Sequence, residues 1–450
     1  MAVPVAVPVP LHGVGGAKDL PIPAALAITA GAAALAVSFL VLALAWRVSR
    51  FDGSARGRPV AAPLARFVDS LGLRWTLRGL GLAFAAYLAW PTAVGPDVVT
   101  NPIFGTFYVL LWVGIVPASL LLGPAFRLVS PVRTLHALVS RARGVRPDQG
   151  LARYPAWLGY WPAALGLLAF VWQELANEDG TLLVSVQVWL ILYVVITFVG
   201  AVVFGDVWLA RADPFEVYST LVGRLAVIGR RADGVLVWRS PLAGLAATPR
   251  GPGLVAVLAV LFGSTAFDSY KDNLHWAGFV DSLSVSPELT NSVALVVFCG
   301  VIAATFSLAA MATGRGTTVS TERGPRRALP GLLVHSLVPI VVGYMTAHYL
   351  SYFVEQGQVT LIQLSDPMVD GSNLLGTGGL TVDYWLSQHP SFLADVKVLA
   401  IVVGHITGAV AAHDRVLRLL PPRSRIVGQL PMLVLMVAYT YAGLWLLFSS

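Results

Sequence analysis

The chain is poor in charge and almost empty of cysteine. Only 12% of its 450 residues are Asp, Glu, Lys or Arg, while 56% are hydrophobic. A soluble domain carries roughly 25% charged residues, and half that supply does not clothe a globule of this size. The mean hydropathy of +0.75 agrees. An ordinary cytosolic enzyme, a disordered chain and a fibrous repeat are excluded. The lone cysteine, Cys299, excludes an internal disulfide and any multi-cysteine zinc or iron–sulfur site. The opening MAVPVAVPVPL has no charged segment and is broken by prolines, unlike a cleavable signal peptide.

What the chain has instead is long apolar runs. Ten stretches without charge come near the length that crosses ~30 Å of hydrocarbon, roughly 17–25 residues as helix. They are 22–46, 79–96, 98–126, 154–173, 180–205, 251–267, 289–314, 328–354, 398–413 and 426–450. The ninth is short and needs Asp395 and Lys397 at one interface and Asp414 at the other. Backbone groups in lipid must be bonded within their own segment, which favours helices over a barrel. The expected fold is all-α, a polytopic membrane helix bundle of about ten transmembrane helices. Residues 1–450 form a single integral membrane domain, preceded at 1–21 by an extracytoplasmic arm.

Arginine and lysine set the direction. With the N-terminus outside, the inner loops 47–78, 125–155, 206–252, 315–327 and 414–425 hold seven, six, six, four and four basic residues. That is 27 of the 30, leaving Lys18, Lys271 and Lys397 outside. The positive-inside rule then gives N-out, C-out topology in the plasma (cytoplasmic) membrane. Fourteen of the 23 acids fall at or near the outer face, among them Asp97, Glu174, Asp268, Asp272, Asp366 and Asp370. The formal charge of +7 therefore hides a basic inner rim and an acidic outer face. Scattered arginines along loop edges suit the anionic headgroups of the lipid bilayer and not nucleic acid.

Two inner loops carry helix signals. Asp213-Pro214-Phe215-Glu216 reads as cap, first-turn proline and N-terminal acid. The apolar face after it suits a helix lying in the inner interface of 206–252. Arg231-Ala232-Asp233-Gly234 resembles a tight turn before the strand-like Val235-Leu236-Val237-Trp238. Ser130-Pro131 opens a short basic helix in the same manner. These loops pack under the bundle or dock partners in a membrane complex. The outer loop 355–395 is rich in Asp, Asn and Gly around Asp366, Asp370 and Gly376, a composition that marks turns rather than a cation cage.

Chemistry is expected where histidines enter the membrane, because they are costly there. His335 and His348 lie on the eighth span, His405 and His413 on the ninth. The outer loop makes these spans antiparallel. Measured from their inner ends, His335 lies ~7 Å deep, His413 ~5 Å, His405 ~16 Å and His348 ~27 Å. The level pair is His335 with His413, candidate ligands of a divalent transition metal, with Asp414 as a supporting acceptor. His405 stands alone near the midplane as a proton carrier. Pro339 frees the carbonyl of His335 and kinks the helix. Gly404, Gly408 and Ala412 form a small-residue seam that lets helices approach. At the outer level Glu174, Asp268 and His348, with Tyr349 and Tyr352, compose a cluster that is either an outward cavity or a set of interfacial anchors. His12, beside Gly13 in the arm, is a weak further metal candidate.

Several of these stretches resemble a known family. His335-Ser336-Leu337-Val338-Pro339, Gly343-Tyr344, Ala347-His348-Tyr349, Gly404-His405 and Ala412-His413-Asp414-Arg415 carry the likeness. So do Asp213-Pro214-Phe215-Glu216-Val217-Tyr218, Phe267-Asp268, and His12-Gly13 ahead of Asp19-Leu20-Pro21. Together they resemble actinobacterial multipass membrane proteins labelled fenitrothion hydrolase-like, over nearly the full chain. The resemblance implies hydrolysis of an organophosphate triester with release of a nitrophenol. A hydrolase built on the histidines would use metal-activated water, with His405 and Asp414 as its catalytic groups. The competing expectations are a proton-coupled or metal transporter, suggested by a broken helix and a midplane histidine, and a non-catalytic subunit of a membrane complex.

Overall fold

The computed structural model describes residues 16–51, 53–54, 57–315 and 326–448. His12 and most of the basic segment 315–327 lie outside the described residues. The helices used below are α1 (Ala24–Ala45), α2 (Leu71–Val94), α3 (Ile115–Leu122), α4 (Pro131–Ala142), α5 (Trp161–Leu175), α6 (Leu183–Phe204) and α7 (Asp206–Ala212). They continue with α8 (Pro214–Val222), α9 (Pro241–Ala246), α10 (Leu254–Lys271), α11 (Pro287–Ala312), α12 (Leu337–Gln363), α13 (Pro390–Leu419) and α14 (Leu430–Phe448).

Each of the ten apolar stretches falls on helix. Among the described residues seven helices are long and apolar enough to cross a membrane: α1, α6, α10, α11, the run Arg326–Gln363 that contains α12, α13 and the run Val427–Phe448 that contains α14. Pro102–Leu111 and Ile115–Leu122, bent by 47° at a short break, make an eighth if taken as one span. The remaining two stretches fall short for physical reasons. The apolar part of α2 begins only after Arg74 and Arg78. Helix α5 has 15 residues, or ~22 Å at ~1.5 Å per residue, less than the ~30 Å core.

Burial separates a centre from a periphery. In α10 and in the run holding α12, 78% and 89% of the most apolar window is buried inside the protein, against 28% in α1 and 22% in α6. The outer helices instead expose apolar rows, such as Val37, Leu40, Val41 and Leu44 on α1 and Val188, Ile191, Val195 and Val199 on α6. In water such rows would be an aggregation surface; in lipid they are a solvated one.

Helices α12 and α13, from the stretches 328–354 and 398–413, lie side by side, packed through the expected seam. A Cβ added at Gly404 would sit 2.6 Å from the Pro339 carbonyl oxygen, and one at Gly408 2.6 Å from that of Ser336. The facing Gly343 would strike the Ala400 carbonyl at 2.4 Å. Before Pro339 the chain forms a 3-10 turn, Val334–Ser336, and α12 starts afresh at Leu337. Pro339 thus stands in a first turn, where its missing N–H costs nothing.

Two segments are longer than their sequence suggests. Helix α13 runs 30 residues and buries Lys397 within it. Helix α12 continues to Gln363, so the outer loop begins past 363 and Glu355 is helical, its carboxylate accepting Ser387 N at 3.1 Å and Ser387 Oγ at 2.7 Å. In that loop Asp366 accepts the amides of Asp370 (3.0 Å) and Gly371 (2.9 Å), the turn chemistry its composition indicates.

A compact cap closes the basic end. Strands β1 (Arg58–Pro59), β2 (Ile228–Arg230) and β3 (Leu236–Trp238) make an antiparallel sheet in the order β1-β3-β2, with Gly229 opposite Val237. The turn between β2 and β3 is closed by Arg231 N to Val235 O at 3.0 Å, with Gly234 at φ +85°. Asp213 caps α8 as expected, accepting Phe215 N (3.0 Å) and Glu216 N (3.2 Å). The position of α8 differs from expectation. It does not lie in the interface: all of Pro214–Val222 except Thr220 is buried in protein, because Phe215 and Tyr218 fill the space between α3, α5 and α6.

Candidate functional site

A buried polar cluster lies where α10 ends against the middle of α12. Tyr344, His348 and Tyr352 recur every four residues and so share one face of α12, with Tyr349 beside them. That face meets Asp268 and Ser269 of α10. His348 Nε2 lies 2.9 Å from Asp268 Oδ2, and the same oxygen accepts the Tyr349 hydroxyl at 2.6 Å. His348 Nδ1 lies 3.1 Å from Ser269 Oγ, which also accepts the Tyr344 hydroxyl at 3.0 Å. Ser269 Oγ reaches the carbonyl of Thr265 at 3.1 Å. Asp268, Ser269, Tyr344, His348 and Tyr349 are all buried.

This arrangement accommodates His348 in either protonation state. With the ring neutral, Nε2–H donates to Asp268 and the Ser269 hydroxyl donates to Nδ1. With the ring protonated, Nδ1–H donates to Ser269 Oγ, whose own hydrogen turns to the Thr265 carbonyl. The Tyr344 hydroxyl donates to Ser269 in both. Within these bonds, rotation of the Ser269 hydroxyl exchanges one pattern for the other.

A second carboxylate borders the cluster. Glu174, on the last turn of α5, lies within electrostatic reach of Asp268 and Lys271, and both carboxylates act on Tyr349 and Tyr352. Among the described residues Glu174 Oε2 is buried with no hydrogen-bond partner. Lys271 Nζ donates to the Leu175 carbonyl at 3.3 Å, holding α10 to the end of α5.

The inner histidines take separate partners. His335 Nε2 lies 3.3 Å from the Ala411 carbonyl across the seam. His413 turns elsewhere: Nδ1 is 2.8 Å from Gln429 Oε1, and Nε2 is 2.8 Å from the Trp46 carbonyl. Asp414 does not support the His413 ring. It accepts Trp46 Nε1 (3.2 Å), Ser49 Oγ (2.8 Å), Arg50 N (2.6 Å) and Phe51 N (3.3 Å), fastening the chain that leaves α1. Among the described residues no group of three His, Cys, Asp or Glu is placed to hold a metal. His405 is fully buried; Nδ1 lies 2.8 Å from the Ile401 carbonyl, and Nε2 has no hydrogen-bond partner among the described residues.

A further network, absent from the sequence reading, sits in the cap at the basic end. Arg133 of α4 donates twice to Glu216 of α8, each bond 2.7 Å, and lies 3.1 Å from Asp206. Arg133 and Glu216 are almost wholly buried. Burial pushes the Asp206 carboxyl up, but His136 and then Arg133 outweigh it and hold it below the usual range. Asp213 goes the other way. Burial, and after it the charge of Glu216, push its carboxyl up to about 7. The signals for this network were the two caps, Ser130-Pro131 and Asp213-Pro214, which aim α4 and α8 at each other. Ser269 and Tyr344 were also missed as site residues; their signal was adjacency to Asp268 and a four-residue step from His348.

No family model matches the chain, and neither the curated proteins nor the solved structures compared with it give a match.

Proposed function

We propose that the chain is a plasma-membrane protein of ten spans, with both termini outside, that works as a proton-coupled carrier through Asp268, His348 and Ser269. The carrying observation is the bond set around His348, with Asp268 on Nε2 and Ser269 on Nδ1, in which rotation of the Ser269 hydroxyl serves either protonation state of the ring. Intramembrane ionisable groups are costly, and this pair lies on the two most protein-enclosed apolar helices, as a proton relay requires. The bent pair at 102–122, the restart of α12 at Leu337 and the open Nε2 of His405 fit a carrier with broken helices around a central path. Placement of 27 of 30 basic residues in the inner loops supports the orientation.

The test is proton uptake into proteoliposomes carrying an internal pH dye, under an imposed potential, with an aryl dialkyl phosphorothioate as the trial solute. Solute-dependent acidification is expected for the wild type and its loss for Asp268→Asn and His348→Gln. Equal acidification in all three would remove the reading. Orientation is read in a Cys299→Ser background: Ser372→Cys should react with an impermeant maleimide in intact cells, and Asp233→Cys only after permeabilisation.

One observation favours a second reading, the organophosphate hydrolase that the resemblance implies. Asp268, His348 and Ser269 stand in the order carboxylate, imidazole, hydroxyl, the order that activates a hydroxyl nucleophile. Ser269 Oγ would attack phosphorus, His348 would take its proton, and the nitrophenolate would leave; water would then release the phosphoryl group. The same assay reads this as nitrophenolate absorbance, lost in Ser269→Ala. The metal-dependent form, with His335 and His413 as ligands, requires His413 to give up a bond to Gln429 or Trp46, and is tested by the metal content of the purified protein.

A further inference from the structure

The 3-10 turn Gly223–Leu225, which follows α8, carries Arg224 half-buried in the cap at the basic end. Its Nε is buried with no hydrogen-bond partner among the described residues. The titratable group that acts on it is Tyr160, immediately before α5, a phenol that is neutral at pH 7. Two more guanidiniums stand near. Arg239, after β3, lies within electrostatic reach of Arg224. Arg211 of α7 acts on Tyr160 together with Arg224. Among the described residues no carboxylate acts on Arg224, Arg239 or Tyr160. We propose that Arg211, Arg224 and Arg239 form a binding site for the phosphate of an anionic phospholipid headgroup.

Charge is the first reason. A guanidinium does not give up its proton, so burial cannot neutralise it as it does a lysine or a carboxyl. A charge withdrawn from water needs a partner of opposite sign, and like charges beside it raise that need. The neutral phenol of Tyr160 does not supply one. The second reason is a prepared seat. Arg239 Nη2 donates to the Gly223 carbonyl at 3.2 Å, and a Cβ added at Gly229 or Gly244 would stand 2.2 Å or 3.0 Å from its Cζ. The two glycines therefore leave room for this one guanidinium. A side chain fixed in this way loses little entropy when an anion arrives, and planar forks match phosphate oxygens. The third reason is the surroundings. Trp157 and Trp161 flank Tyr160 in the chain and are exposed, and Arg211 lies 5.9 Å over the ring of Tyr154. Such an aromatic belt marks the headgroup level of a bilayer. One turn beyond Trp161, the exposed Leu165 offers an apolar track for an acyl chain. A zwitterionic choline headgroup would bring a further cation to three that stand there already, so the site selects lipids of net negative charge.

The proposal rests on the placement of the chain in a bilayer, and the experiment tells the two apart. Full-length protein is placed in nanodiscs of phosphatidylcholine with or without phosphatidylglycerol, released into neutral detergent, and the lipid it retains is counted by native mass spectrometry. In parallel the delipidated protein is titrated with inorganic phosphate by calorimetry. Retention of one phosphatidylglycerol is expected, with a higher melting temperature than in phosphatidylcholine alone. In Arg224→Gln the affinity for phosphatidylglycerol should fall about tenfold or more, as for the loss of charge-assisted bonds. Among the described residues the Arg224 side chain makes no hydrogen bond or ion pair, so this variant should melt no lower than the wild type in phosphatidylcholine. Arg66→Gln, which removes an exposed arginine elsewhere, should bind as the wild type does. Equal retention of both lipids, or equal loss in Arg224→Gln and Arg66→Gln, overturns the site and leaves the bilayer placement standing. Saturable binding of inorganic phosphate with no retained phosphatidylglycerol assigns a soluble anion and overturns the lipid. A chain that stays dispersed without detergent or lipid overturns the placement and the site together.

Discussion

His348 Nε2 lies 2.9 Å from Asp268 Oδ2, joining α12 to α10 with an ionisable pair in the most enclosed part of the bundle. Asp268→Asn and His348→Gln should each slow proton movement in the proteoliposome assay by ~100-fold or more, the usual reach of a positioned acid or base. Tyr349→Phe removes one 2.6 Å bond to the same carboxylate and should slow it less. A Tyr349→Phe protein as impaired as Asp268→Asn would mean that the hydroxyl, not the imidazole, passes the proton.

The glycine seam should be intolerant of side chains. At Gly404 and Gly408 an added Cβ meets backbone carbonyl oxygens at 2.6 Å, and backbone has no rotamer to escape into. Gly404→Val and Gly408→Val should each cost at least ~1–3 kcal/mol, seen as a lower melting temperature in detergent or as lost yield. Gly357→Ala, where a Cβ meets nothing within 4 Å on the same helix pair, should be neutral or slightly stabilising.

Arg133 and Glu216 form a buried, two-bond ion pair, and breaking one side should hurt more than removing both. Arg133→Met leaves Glu216 charged and buried, at a cost of ~3–5 kcal/mol. The double variant Arg133→Met/Glu216→Leu should recover most of that loss. A thermal double-mutant cycle measures it, and additive losses would show that the two side chains act independently.

Asp213 should make the cap sensitive to alkali. Its carboxyl is pushed up from the ordinary carboxylate range to about 7, by burial and then by the charge of Glu216. The folded state therefore holds its proton more tightly than the unfolded state between those values. The stabilisation is present below the unfolded value and is lost as pH rises through the folded one. Asp213→Asn keeps a capping oxygen without the charge. Its stability should change less between pH 5 and pH 8 than the wild type's in the same buffers, and an identical slope would assign the sensitivity to another group.

Much of the architecture was legible because lipid imposes one rule on every segment. Stretches such as 22–46 and 180–205 must bond their backbones internally, so α1 and α6 follow from apolar length alone. The seam at Gly404 and Gly408 was legible for a similar reason, since small residues at helical spacing have few other uses on such a helix. The interfacial placement of α8 failed where composition is blind. An apolar face looks the same whether lipid or protein covers it, and Phe215 and Tyr218 turned out to be covered by protein.

The candidate site divides at the same point. Asp268, Glu174 and His348 were visible as costly residues near the outer ends of their spans, while depth along the helix made His335 and His413 the level pair. Depth is one coordinate, fixed by a rise of ~1.5 Å per residue; rotation about each helix axis is the other. Rotation is set by which neighbours fill the grooves, and those neighbours come from far along the chain: Trp46 for His413, Ser269 for His348. Sequence alone therefore determined that the chain carries apolar helices long enough to cross a membrane and which of its loops are basic. The tertiary packing decided which buried imidazole faces a carboxylate, because only packing fixes the direction in which a side chain leaves its helix.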